Sequence, residues 1–212
     1  MAGSSTDGRV LRGEETRRAV LRRAVEIASV EGLGALSIGR LATDLGLSKS
    51  GVFATFGSKE ELQLASVRAA RRIFFDAVVE PARSAPPGLA HVWALCAGWL
   101  AYSRARVFPG GCFFYGVGAE FDAQPGPVRD LLAEAAREWD AFVLGALANA
   151  RAAGELRPDA DLEQLTFVLI GVMETANAHG LLYGGQLPYD RAEKAVRSLL
   201  RAEATDPALL PG

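Results

Sequence analysis

Apolar residues recur along this chain at intervals of three and four, the period of an amphipathic helix, and nowhere alternate as in a half-buried strand. From Glu14 to Glu31, Val20, Ala24, Ile27 and Ala28 share one face, and Gly32 ends the run. Ser37 predicts the N-cap of a second helix carrying Ile38, Leu41, Ala42 and Leu45, closed after two turns by Gly46. Ser48 caps a third, running to about Thr55. Ser58 and Glu61 have the S-x-x-E spacing of a capping box, which opens a long fourth helix to about Val79. Pro81, Pro86 and Pro87 are expected to break the chain after it.

Longer segments follow. One helix is expected over 88–106. Residues 108–127, rich in glycine and aromatics, read as irregular or briefly helical. A long amphipathic helix then places Val128, Leu132, Ala135, Trp139, Phe142 and Ala146 on one stripe. Two more helices are expected over 161–183 and 189–204. With no strand pattern and no internal repeat, the predicted fold class is all-α.

Charge changes this picture in one respect. The net charge is −2, but residues 1–72 carry 12 basic and 8 acidic side chains, whereas 73–212 carry 11 and 17. A basic front end on an acidic body points to a polyanionic partner for the front end alone. The two cysteines, Cys96 and Cys112, make neither a disulfide framework nor a CxxC pair. No signal-peptide stretch opens the sequence, and residues 84–103, free of charged side chains, hold only about fifteen apolar residues, short of the roughly 20 a membrane span needs. That segment reads as a buried core helix, with no membrane partner, and the protein is expected in the cytoplasm.

The short third helix, KSGVFAT, holds a glycine and small polar residues, a poor recipe for a stable helix. Paired with the second helix across Gly46, it has helix-turn-helix spacing, with Leu45, Leu47 and Val52 placed to lock the pair against helix one. A helix that lies in the major groove needs an outer face that is small, polar and free of acid. No Asp or Glu occurs between Asp44 and Glu60, and two of the three lysines, Lys49 and Lys59, fall in this motif.

Residues 14–65, reading GALSIGRLATDLGLSKSGVFATFGSKEEL over their later part, resemble the TetR family of transcriptional repressors. The resemblance implies a flexible N-terminal arm (1–13), a helix-turn-helix domain (14–57), a helical effector-binding and dimerisation domain (58–204) and a tail (205–212). It implies phosphate or groove-edge contacts at Ser37 and Thr43, and base or backbone contacts at Ser48, Lys49, Ser50 and Gly51. Lys59, at a helix N-terminus, matches a phosphate contact. Arg40 replaces the acid that often completes the cap, adding positive charge near the DNA. Phe53 stands where the family usually has Tyr, so no hydroxyl reaches phosphate there; a core aromatic and a DNA contact both remain open. Thr55 stands for a longer His or Tyr.

For the C-terminal half, the segment 161–183 is apolar all round, which calls for burial on every side, and a partner subunit is the natural cover. The family builds its homodimer from its last two major helices. On that basis the expected dimer interface is Leu169, Met173, Val196, Leu199 and Leu200. The resemblance also implies an effector cavity in the aromatic-rich middle. Its expected lining is Phe74, Trp93, Trp99, Phe113, Phe114, Tyr115, Phe121, Trp139 and Phe142, with Glu174 and Asn177 as polar contacts. FPGGCFFYGVGAEF, residues 108–121, is the expected lining or gating segment. The expected effector is small and hydrophobic or aromatic.

Rival classes have less support. His91 and His179 lie far from any GxSxG or HExxH motif, and GVGAEF at 116–121 lacks the third glycine of a dinucleotide loop, so no catalytic residue, cofactor or metal site is expected. Two alternatives stay open: a redox-responsive regulator using Cys112, and a regulator without a small ligand.

Overall fold

The computed structural model describes the backbone of residues 4–210 and the side chains of 13–210; residues 1–3 and 211–212, the ends of the expected arm and tail, lie outside the described residues. Among the described residues ten α-helices follow in order: α1 (Ser4–Glu31), α2 (Ile38–Leu45), α3 (Lys49–Phe56), α4 (Lys59–Phe74), α5 (Glu80–Ala82), α6 (Leu89–Arg104), α7 (Phe113–Phe121), α8 (Pro127–Ala152), α9 (Leu162–Leu182) and α10 (Leu187–Glu203). The fold class is all-α. Among the described residues the sole β feature is an isolated antiparallel bridge between Leu156 and Ala204.

Helix α1 starts earlier than expected. From Ser4 on, the residues expected as a flexible arm are helical, because no proline interrupts them and a helix propagates outward once a packed segment nucleates it. The packed segment is as expected: Val20, Ala24, Ile27 and Ala28 are buried, and with Leu41, Val52 and Phe56 they form the core under α2 and α3.

The caps of the short helices form as read. Ser37 Oγ accepts from Arg40 N at 3.1 Å, Ser48 Oγ from Gly51 N at 3.1 Å and Ser58 Oγ from Glu61 N at 3.0 Å. Gly46 closes α2 at φ 63°, left-handed space that glycine enters without a Cβ clash, and Leu47 N reaches back to Ala42 O at 2.8 Å.

Pro81 does not end the fourth helical run. Phe75–Val79 forms a π turn in which Glu80 N bonds Phe75 O, and Glu80–Ala82 continues helically. The wider turn brings the chain past Pro81, which has no N–H to offer the ladder.

The larger core lies between α4, α6, α8, α9 and α10. α6 buries Leu89, Val92, Leu95, Cys96, Trp99, Leu100 and Tyr102, as expected of a core helix. By length and composition α9 is the one described helix apolar enough to cross a membrane. Here one of its faces packs against α6, α8 and α10 instead.

Candidate functional site

Three structural features converge on function: the outer face of α2 and α3, a cavity between α4, α6, α7, α8 and α9, and the contacts that join them.

The outer face of α3 presents Ser48, Lys49, Ser50, Gly51 and Phe53, all exposed. Phe53 is 55% exposed, so it is not a core aromatic. Val52 and Phe56, on the opposite face, take that role. Thr43 and Thr55 turn their hydroxyls back onto Gly39 O and Gly51 O, at 3.0 and 2.9 Å, which satisfies them within their own helices. Arg40 is not a free positive charge: it forms a two-pronged pair with Glu31, at 2.7 Å on each oxygen. That pair raises the guanidinium pKa and lowers that of the carboxyl. Lys59 Nζ donates to Gly34 O at 2.6 Å, so it braces the turn before α2.

The cavity measures about 980 Å³. α4 and the π turn supply Phe74, Phe75 and Val79, α6 supplies Trp99, and α7 supplies Phe114, Tyr115 and Phe121. α8 supplies Trp139, Asp140 and Phe142, and α9 supplies Ile170 and Glu174; Cys112, just ahead of α7, completes the floor. Phe74 makes edge contacts to Phe114 and Trp139, with ring centres 5.8 and 5.3 Å away.

Three expected lining residues lie elsewhere. Trp93 packs under the Arg197 guanidinium, 3.8 Å from its ring centre, between α6 and α10. Phe113 is fully buried between Phe108 and Phe114. Asn177 is enclosed, its Oδ1 accepting from Ser103 Oγ and Cys112 N, both at 2.8 Å. Each sits on a helix that does line the cavity, or beside one, but on a different face. Composition marks the helix and not the face. Asn177 therefore pins the loop ahead of α7 through its Oδ1, while its buried Nδ2 has no hydrogen-bond partner among the described residues.

Sequence reasoning missed Asp140. Burial raises its pKa and that of Glu174, and for Glu174 the charge of Asp140 adds to the rise. The thiols are held in their neutral form: burial pushes Cys112 up, and Cys96 up to about 12. A thiol so placed is a poor nucleophile, which weighs against the redox alternative.

Two of the four glycines of segment 108–121, Gly110 and Gly111, have steric reasons, while a Cβ at Gly116 or Gly118 would meet nothing within 4 Å. A Cβ at Gly110 would overlap Ser29 O, and one at Gly111 would collide with Asn177 Oδ1. These close approaches seat the loop ahead of α7 between α1 and α9, and α7 itself packs on α1 and α8. From that position Glu120 reaches the turn ahead of α2, accepting from Leu33 N at 2.8 Å and Gly34 N at 2.7 Å. On the same turn, Gln63 Nε2 donates to Leu33 O at 3.0 Å. Residues 33–34 are thus held from α7 by Glu120 and from α4 by Lys59 and Gln63. Both holding helices line the cavity.

Four of the five expected dimer residues are corrected by burial. Leu169, Met173, Val196 and Leu200 are fully buried within the single chain, and Leu199 is partly buried against the same core. They form the seam where α9 packs on α10 and α6. α9 is not covered all round: Phe167 is 75% exposed and Leu182 76%, with Gly171 and Thr175 exposed between them. Helical spacing identifies both apolar stripes but does not say which one the chain itself covers.

Comparison with known proteins agrees with this geometry. Residues 20–65 match the model described as bacterial regulatory proteins of the tetR family, and residues 88–196 match that of a tetracyclin repressor-like C-terminal domain. A TetR transcriptional regulator from Chloroflexus aurantiacus superposes with a TM-score of 0.85 at 23% identity, over 91% of this chain and 98% of that one. A TetR-family regulator from Streptomyces coelicolor gives 0.77 at 23% identity, over 96% and 97%. A putative transcriptional regulator from Saccharomonospora viridis, solved with choline, gives 0.77 at 18% identity, over 91% and 98%. No curated protein matches.

Proposed function

Because the chain belongs to the TetR family of bacterial regulatory proteins, we propose that it is a homodimeric, cytoplasmic repressor that a small molecule releases from a palindromic operator. The observation that carries the reading is the double hold on Leu33 and Gly34. Glu120 and Lys59, at 2.7–2.8 and 2.6 Å, tie the helix-turn-helix to two helices whose other residues line the cavity. An occupant that moves α4 or α7 moves α2 and α3 with it.

In this reading α3 enters the major groove, with Lys49, Ser48 and Ser50 at phosphates and base edges and Phe53 in apolar contact with a base methyl. Ser37, Thr43, Thr55 and Arg40 act mainly by holding the motif's shape, since their polar groups already have partners. The dimer forms through the exposed α9 stripe of Phe167, Gly171, Thr175 and Leu182, together with the outer face of α10. Two α3 helices then lie about 34–36 Å apart, one turn of DNA. The choline bound by the Saccharomonospora viridis neighbour supports a small-molecule effector here too.

Selection of genomic fragments on the full-length protein at near-physiological salt, followed by footprinting, tests this. A footprint of two inverted half-sites one helical turn apart is expected. Enrichment without sequence preference, or a single unpaired half-site, would sink the reading.

A further inference from the structure

The charged groups around the cavity are sorted by position. α4 and α8 run side by side in the same sense: Arg71 meets Glu134 and Glu138, Phe74 meets Trp139, and Phe75 meets Phe142. Arg68 and Arg129 therefore belong to one end and Asp140 to the other. Arg129 and Asp140 lie 11 residues apart on α8, about 16 Å at the helical rise.

Of the basic groups at the first end and along the rim, Arg71, Arg72 and Arg129 have partners, whereas Arg68 forms no ion pair among the described residues. Arg71 pairs with Glu134 and Glu138, Arg72 with Asp76 at 3.0 Å, and Arg129 with Asp130 at 3.6 Å and Asp122 O at 3.1 Å. Toward the other end Asp140 on α8 and Glu174 on α9 both line the cavity, near enough for the charge of Asp140 to act on Glu174. Among the described residues neither forms an ion pair or a side-chain hydrogen bond to a protein cation. The buried indole Nε1 of Trp139, the residue next to Asp140, is also without a partner.

The same cavity is lined by the rings of Phe74, Phe75, Trp99, Phe114, Trp139 and Phe142, with Phe74 in edge contact with Trp139. Two unpaired carboxylates in an aromatic box are complementary to one kind of group. A cation set between them would remove their mutual repulsion and meet the negative faces of the rings. An anionic head at this end would meet the repulsion of two carboxylates, against a single indole N–H donor.

We infer that the cavity takes an organic cation, an amine or quaternary ammonium on an apolar body, with the cationic head between Glu174 and Asp140 and the body among the rings. This rests on the reading of the cavity as the effector site. It names the ligand class, which the aromatic composition alone left as hydrophobic or planar.

The test uses three probes of equal chain length, octyltrimethylammonium, octanol and octanoate, titrated into the full-length dimer below their micellar concentrations. Binding is followed by the fluorescence of Trp99 and Trp139. The cation is expected to bind at least about tenfold more tightly than octanol, and octanoate most weakly. Glu174→Gln is expected to lower cation affinity about tenfold while leaving octanol within about twofold. Asp140→Asn, at the more open side, is expected to lower cation affinity several-fold, and it serves as the second variant should Glu174→Gln disturb folding. Octanoate binding as tightly as the cation, or cation affinity unchanged in both variants, overturns the inference. Octanol binding with no charge preference overturns it while leaving the effector cavity standing. No binding of any probe overturns the cavity as a ligand site for apolar molecules, and the inference with it.

Discussion

Replacing Glu120 by Gln is the most informative single change, because it alters one atom of the joint between cavity and DNA-reading motif. The carboxylate accepts two backbone N–H bonds, from Leu33 at 2.8 Å and Gly34 at 2.7 Å. A glutamine keeps one acceptor, and its amide nitrogen confronts the other N–H, donor against donor. A hydrogen bond to a charged group contributes about 1.5–3 kcal/mol, and the residue is only half-buried, so water recovers part of the loss; about 1–2 kcal/mol is expected. For a chain of this length that lowers Tm by about 2–8 °C. Thermal unfolding followed by circular dichroism reads it, with Glu15→Gln, an exposed acid on α1, as a control expected to stay within about 0.5 kcal/mol. The functional part is sharper. With its hold on residues 33–34 weakened, the variant should bind operator while responding less to any ligand that occupies the cavity. A Tm within 1 °C of wild type would refute the energetic argument, taking about 1 °C as below the smallest expected shift. An undiminished ligand response would refute the coupling.

Three further outcomes follow from the geometry. Lys49→Ala should weaken operator binding across sequences and reduce the salt slope by about one unit per subunit, whereas Lys59→Ala, whose ammonium already holds Gly34 O, should change the slope less; equal slopes in both would contradict the assignment. Phe167→Glu on the exposed α9 stripe should shift sedimentation toward monomer with the fold retained, while Leu169→Ala, in the core, should cost about 2–5 kcal/mol of stability and leave any surviving folded protein dimeric. Native protein at pH 8 should react slowly with a thiol reagent at both cysteines and fast only in denaturant; prompt modification of Cys112 would restore the redox alternative.

Local chemistry was legible from the residues alone. Ser37, Ser48 and Ser58 cap helices because a hydroxyl three residues ahead of a free N–H closes a short ring whatever surrounds it. Gly46 turns the chain because only a residue without Cβ enters left-handed space cheaply. An acid-free α3 between two well-capped helices was readable for the same reason, and so was the all-α class. These properties depend on neighbours within a few positions.

What depended on distant partners was not legible. A helix such as α9 carries two apolar stripes. Which one becomes core, through Leu169 and Met173, and which stays open, through Phe167 and Leu182, depends on where α6 and α10 pack. The same holds for Asn177, which the fold encloses, and for Asp140, which it turns toward the cavity. The hold of Glu120 on residues 33–34 joins positions 86 and 87 apart in the chain. Hydrophobic burial is non-directional, so periodicity identifies the faces that will be covered. Only tertiary packing decides what covers them, which carboxylates are left without partners, and which contacts tie the cavity to the reading head.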